Sequence, residues 1–321
     1  MRAVPEIPSH LLRLHLAVTL LFALVTLPLG LAVAQSIEGD PEAAEQTTAN
    51  TDSMHMNVRG EFVPRWHDMI TNIPGDWVRW GEASFTTRNI PLLIGLTVST
   101  VALVATDDAT WKASDKWYKE SRNVKKASDF FELFGDGKTQ FGLAAAFGIY
   151  GLAAKDGRAL RTASQTVEVI LACGVVVQTL KHITGRESPF VATSPGGKWR
   201  LLPNQFEYHR HVPHYDAYPS GHVATGLATV LVIAENYPEV GWIRPVGYSL
   251  VGLLAVAMGN TGIHWYSDYP LAIALGYSFA MVVSHPEVSD GGTSGVEDGV
   301  KLSFAPVVGR GRTGIGFKLS F

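Results

Sequence analysis

The chain has 321 residues, 46% of them apolar and 17% charged, with a formal net charge of −3. That length allows one large domain or two small ones, with a sizeable core. The near balance of charge leaves no broad basic field, which argues against nucleic acid or an anionic lipid surface as an electrostatic partner.

In chain order, residues 1–34 place Arg2 and Arg13 ahead of the apolar run LHLAVTLLFALVTLPLGL, followed by AVAQ, where Ala32 and Ala34 flank a cut before Gln35. This is the pattern of an export signal peptide. Pro28 and Gly30 disfavour a continuous spanning helix, although the length of the run keeps an uncleaved anchor as the alternative. Residues 35–60 are polar and acidic with few large apolar groups, as a flexible linker would be. Aromatic residues return in PRWHDMI and GDWVRWGEASF, so the 35–88 region is expected to end in one or two short amphipathic surface helices.

Six apolar segments follow, at roughly 90–106, 139–154, 163–182, 221–236, 243–260 and 268–284. Their length exceeds that of ordinary strands and they lack a two-residue alternation, so they predict an all-α domain, a six-helix bundle over 89–286. The single cysteine, Cys173, lies in the third segment, where it reads as a small buried apolar residue, and no intramolecular disulfide can form. The tail 287–321 combines a Gly/Ser/Asp-rich tether with VKLSF and GIGFKLSF around VVGRGRT, the pattern of a short β-hairpin. An isolated hairpin is marginal in water and must pack on something else.

Unusual residues gather at the segment ends. Lys181 and Arg186 close the third segment, Ser220, Gly221 and His222 open the fourth after Pro219, and HWYSD follows the fifth. In an up-and-down bundle these places share one end. A helix N-terminus offers free amides and a positive dipole end, so Ser220 and Gly221 can cradle an anion such as phosphate, although the same residues are also ordinary caps. His264 and Asp268 are four apart, so at helical spacing the carboxylate can fix the imidazole tautomer and leave the other nitrogen free as a nucleophile. His222 can protonate a leaving alkoxide. Lys181 and Arg186 can neutralise phosphoryl oxygens; each also suits a solvated helix end.

These residues resemble the type 2 phosphatidic acid phosphatases, a family with the bacterial acid phosphatases and vanadium haloperoxidases. Its first block, Lys-x6-Arg-Pro, is matched by KHITGRESP at Lys181 and Pro189, with Ser188 at the arginine position and Arg186 two places early. The second, Pro-Ser-Gly-His, is complete in Pro219 to His222. The third, Ser-Arg-x5-His-x3-Asp, is met by His264 and Asp268, with Ala257 and Met258 replacing Ser-Arg. The resemblance covers about residues 90–284. It implies that His264 forms a phosphohistidine, Asp268 orients it, His222 protonates the leaving group, and Lys181, Ser220 and Gly221 bind phosphate, without cofactor or metal. Both family arginines are absent, and Arg186 or Arg210 is expected to serve in their place.

Two other readings stand beside this one. His209, His211 and His214 with Asp216 offer a zinc-binding alternative, and the missing arginines suit an inactive envelope protein that keeps the fold. Export of residue 35 and the basic connection KDGRALR give opposite topologies for a spanning bundle. Several segments fall short of about 20 apolar residues, and mean hydropathy is +0.12. The expectation is therefore an exported periplasmic or envelope phosphatase, membrane-associated without spanning, acting on a lipid phosphate or small organic phosphate. No nucleic-acid partner is expected.

Overall fold

The computed structural model describes residues 64–286 and, beyond them, the backbone of Lys301–Gly309 and Arg312–Ser320. The expected signal peptide, the linker up to residue 63 and the tether 287–300 lie outside the described residues. In order, the helices are Asp68–Thr71 (α1), Ile73–Ser84 (α2), Ile90–Val104 (α3), Asp107–Glu120 (α4), Arg122–Glu132 (α5), Gly137–Ala154 (α6), Gly157–Thr184 (α7), Gln205–Arg210 (α8), Gly221–Asn236 (α9), Ile243–Thr261 (α10) and Tyr269–Ser284 (α11). Lys301–Gly309 (β1) runs antiparallel to Arg312–Ser320 (β2), Lys301 opposite Ser320 and Gly309 opposite Arg312.

The 64–286 region is all helical, with a helix at each of the six apolar segments, but a count of six is too low. Between α3 and α6 the polar stretch 107–132 reads as a connection, yet it folds as α4 and α5. Their charges pair along the helix, Lys112 with Asp108 at 2.6 Å and Lys119 with Asp115 at 2.7 Å. Such i,i+4 pairs support a helix that offers only a narrow apolar face.

The core sits where α7, α9 and α11 pack together. Val169, Ala172 and Cys173 of α7 meet Val223, Ala224, Leu227 and Leu231 of α9 and Ala272, Leu275 and Phe279 of α11. Burial pushes the Cys173 thiol up to about 12, so it stays an inert apolar side chain. Small residues let α9 and α11 touch backbone to backbone: a Cβ on Gly276 would stand 2.3 Å from the Ala224 carbonyl oxygen. At the far end from the site a polar ladder ties the three helices. Asn236 donates to Gln165 at 2.7 Å, Gln165 donates to the Val283 carbonyl at 3.0 Å, and Arg161 donates to Asn236 at 2.6 Å.

The aromatic residues before the bundle anchor α2 onto it. The Trp77 indole donates to the Ala172 carbonyl at 3.0 Å, and Trp80 donates to Ser278 at 2.8 Å while stacking on Phe279. Beneath them lies a buried carboxyl pair. Asp76 pairs with Arg79 at 2.5 Å, and Glu168 of α7 accepts from Asn72 at 3.3 Å. Burial, then the neighbouring Asp76, pushes Glu168 up to about 9 from an ordinary value of 4.5.

Folded Glu168 thus keeps a proton that the unfolded chain releases, and stability is lost as pH rises through that window. Glu168→Gln is expected to raise the melting temperature at pH 8 and to leave it unchanged near pH 4, where the glutamate is protonated in both states. Calorimetry showing the same shift at both pH values, or a loss at pH 8, would contradict this.

Among the described residues two helices are long and apolar enough to cross a membrane: Thr87–Val104, 17% of whose apolar window is buried, and Gly157–Thr184, half buried in the bundle. In α3, IPLLIGLTVSTVALV, the side chains of Ile90, Ile94, Val98 and Val101 are exposed. A helix apolar on all sides with an outward stripe suits contact with lipid.

Candidate active site

The site forms where α7 ends and α9 begins. Gly185 ends α7 at φ +54, where its amide returns to the Lys181 carbonyl at 3.0 Å. A Cβ at Gly185 would stand 2.2 Å from the Arg200 carbonyl oxygen, so this turn is reserved for glycine. The loop beyond is held by Glu187, which accepts from the Thr193 and Lys198 amides at 2.9 and 3.0 Å and from Arg200 at 2.7 Å. Burial would raise its pKa, but these donors hold the Glu187 carboxyl down to about 2.

Ser220 opens α9. Its buried hydroxyl accepts from the Val223 amide at 3.4 Å, and its own amide donates to the Asp268 carbonyl at 3.0 Å. The capping role is thus filled by Ser220, and α9 begins within reach of the 264–268 segment. Gly221 sits beside Lys181: a Cβ there would stand 3.4 Å from Val177 Cγ1 and 3.9 Å from the lysine Nζ, both ordinary contacts. His222 follows, partly exposed.

His264 and Asp268 do not share a helix as their spacing suggests. After Gly262, at φ +79, the chain leaves α10, and Tyr266–Asp268 forms a 3-10 turn before α11. His264 is buried, and its Nδ1 donates to the Ala217 carbonyl at 2.8 Å, with Asp268 Oδ2 behind it at 3.6 Å. That arrangement places the ring proton on Nδ1 and leaves the Nε2 lone pair free. Nδ1 of His222 faces Nε2 of His264 at 3.4 Å, and the ring centroids are 5.6 Å apart.

A cleft of about 780 Å³ opens here, lined by Lys181, His182, Asp216, Gly221, His222 and Thr225. Ile170, Leu171, Val175, Val177, Ile183 and Leu202 form its apolar wall. Lys181 Nζ lies 3.7 Å from Asp216, and burial pushes its pKa down against the pull of Asp216 and Asp268. Burial also drives His222 and His264 down to about 3, His222 further lowered by His264 and His264 by Lys181. Both imidazoles are therefore neutral in the empty cleft. Burial raises Asp268 to about 6, against the opposing pull of Arg186.

Lys181, Ser220, Gly221, His222, His264 and Asp268 thus come together. Arg186 departs from the expectation of a phosphate ligand: it is fully buried and does not line the cleft. Its Nη1 donates to Asp268 at 2.5 Å and Ser267 at 2.6 Å, and its Nη2 donates to Asp107 at 2.6 Å and the Gly196 carbonyl at 2.9 Å. Arg210 also stands apart, exposed on α8 and 3.6 Å from Glu207. The zinc-binding alternative fails on geometry. His209 bonds the Gln205 carbonyl, His211 lies by Glu207, His214 by Glu187 and Asp216 by Lys181. Among the described residues no three or more His, Cys, Asp or Glu gather as metal ligands.

Sequence reasoning missed Asp107 and the Ala217 carbonyl. Asp107 begins α4 in TDDAT and reads as an ordinary acidic first turn, while a main-chain acceptor leaves no signature in residue type.

Residues 163–287 match the family model of the PAP2 superfamily, and Lys181, Ser220, Gly221, His222, His264 and Asp268 lie within that stretch. That match suggests a phosphoester hydrolase. No curated protein and no solved structure matches the chain.

Proposed function

We propose that this protein is a metal-independent phosphatase that hydrolyses phosphate monoesters through a phosphohistidine on His264. The observation that carries the reading is the pairing of the His264 Nε2 lone pair at 3.4 Å with His222, which lines a cleft together with Lys181. Nε2 attacks phosphorus and the ester oxygen leaves, taking the proton that the monoanionic ester brings and that neutral His222 relays. The positive charge that builds on the imidazole is stabilised by the Ala217 carbonyl and Asp268. Water then attacks the phosphohistidine, with His222 now the base, and releases inorganic phosphate. Lys181 and the amides opening α9 hold the phosphoryl oxygens. The apolar wall suits the organic part of a lipid phosphate, the apolar helices favour membrane association, and the export-signal pattern of residues 1–34 supports a place in the periplasm or envelope.

The test is phosphate release from a panel of lipid and soluble monoesters with EDTA present. Turnover of at least one ester, unaffected by chelator, is expected; release from none, or activity lost with EDTA, overturns the proposal. A second reading, a weak or inactive protein that keeps the fold, is favoured by Ser188 and Met258 at the two family arginine positions and Ala257 at the family serine position. Release from none is its signature.

Because His222 is neutral well above its lowered pKa of about 3, the proton for the leaving group must arrive with the substrate. The productive pair is neutral enzyme with monoanionic ester, whose second pKa is about 6. kcat/KM is therefore expected to hold from about pH 4 to 6 and to fall about tenfold per unit above it. A bell centred near pH 7, which two histidines of ordinary pKa would give, contradicts this assignment.

A further inference from the structure

We propose that Arg186 and Asp107 are positioning residues that set both partners of the His264 Nδ1 proton, and that they do so without touching substrate. The inference rests on the phosphohistidine reading for its kinetic readout, but not for its structural one.

The side chain of Arg186 reaches one of these partners. Its Nη1 fixes Asp268 Oδ1 at 2.5 Å, while the Trp265 amide fixes Oδ2 at 2.7 Å, so the carboxylate is immobilised with Oδ2 toward His264. The main chain of Arg186 reaches the other. Its carbonyl accepts from the Ala217 amide at 3.0 Å, and the Ala217 carbonyl is the acceptor for His264 Nδ1 at 2.8 Å. One residue thus places the anion behind the nucleophile and the carbonyl that dictates its tautomer.

Asp107 holds Arg186 from the opposite side. It takes Nη2 at 2.6 Å and accepts from the Ser267 hydroxyl at 2.5 Å and the Ser267 amide at 3.3 Å. The guanidinium lies near the Trp199 and Trp265 rings, at 4.6 and 5.2 Å from their centroids. All three charged side chains are fully buried. Buried charges persist only when paired, and Arg186 keeps Asp268 ionised where burial favours the neutral acid. An uncharged Asp268 would not stabilise the imidazolium that forms during phosphoryl transfer. The charged or titratable groups around Asp268 are Arg186, Asp107, Lys181, His264, Tyr218 and Tyr269.

The experiment compares full-length wild type with Asp107→Asn, Ser267→Ala, Arg186→Gln and Arg186→Lys. Asp107→Asn removes one negative charge from a triad with an excess of carboxylate, so it is expected to fold. The structural readout is the ring nitrogen signals of histidine-labelled protein. Wild-type His264 is expected to show the Nδ1–H tautomer, with its signals displaced in Asp107→Asn and Ser267→Ala while those of exposed His209 stay.

The kinetic readout is a kcat lower by about 100-fold in Asp107→Asn at unchanged KM, the cost of a small misplacement of a catalytic group, with partial recovery in Arg186→Lys relative to Arg186→Gln. If Asp107→Asn does not fold, Ser267→Ala decides. Folded variants with wild-type His264 signals overturn the proposal. A wild type with no turnover defeats only the phosphatase reading, because the ring signals still test the positioning.

Discussion

His264→Ala is expected to lower phosphate release by about 10⁴-fold or more, because it deletes the atom that forms the covalent intermediate. The ring has two nitrogens with separate tasks: Nδ1 is committed to Ala217 at 2.8 Å, and Nε2 meets His222 at 3.4 Å. Asp268 cannot take over as nucleophile, since it already spends one oxygen on Arg186 and the other on the Trp265 amide. Rapid acid-free quenching with a labelled substrate should trap a base-stable, acid-labile phosphoprotein in wild type and none in His264→Ala. His222→Ala should still accumulate it from an ester with a good leaving group, which needs no proton. Equal labelling of wild type and His264→Ala would move the nucleophile elsewhere and dismantle the proposed chemistry.

Gly276→Val is expected to cost about 3 kcal/mol or more, the upper range for overpacking a close-packed core. The added Cβ would stand 2.3 Å from the Ala224 carbonyl oxygen and 3.2 Å from the Ala224 Cα, and these are main-chain atoms that cannot swing aside. Relief requires α9 and α11 to separate. Ser220 and His222 open α9 and Asp268 precedes α11, so separation would also misalign the site. The expected result is a melting temperature lower by roughly 6–12 °C together with reduced turnover. Gly241→Val, where nothing lies near the added carbon, serves as the control. A melting curve for Gly276→Val that overlays wild type would show that the two backbones are not in contact.

Much of this was legible in the residues. Long apolar runs without strand alternation place the helices that build the core, and the matches at Lys181, Pro219 to His222, His264 and Asp268 name residues that gather together, of which Lys181, Gly221 and His222 line the cleft. The polar helices α4 and α5 were not legible, because surface ion pairs support α4 and neither helix carries a long hydrophobic run.

Arg186 shows a second limit. A cation beside a phosphate-type motif invites assignment to the anion, yet its fate was settled by Asp107, 79 residues upstream, through a contact that no local spacing encodes. Equally hidden was the Ala217 carbonyl, since every residue has one and only the folded chain selects which is used. The helical spacing of His264 and Asp268 led to the right pair by the wrong geometry: the two meet across a tight 3-10 turn.

The outward stripe of α3 bears on how the molecule can be handled. Ile90, Ile94, Val98 and Val101 face away from the interior, and in plain buffer such a surface lowers its free energy by finding other apolar surface. Purified copies will therefore self-associate unless an amphiphile or bilayer shields that stripe. Mixed micelles of lipid esters would shield the stripe while presenting one of the ester classes to be tested, and so keep the protein dispersed during the assay.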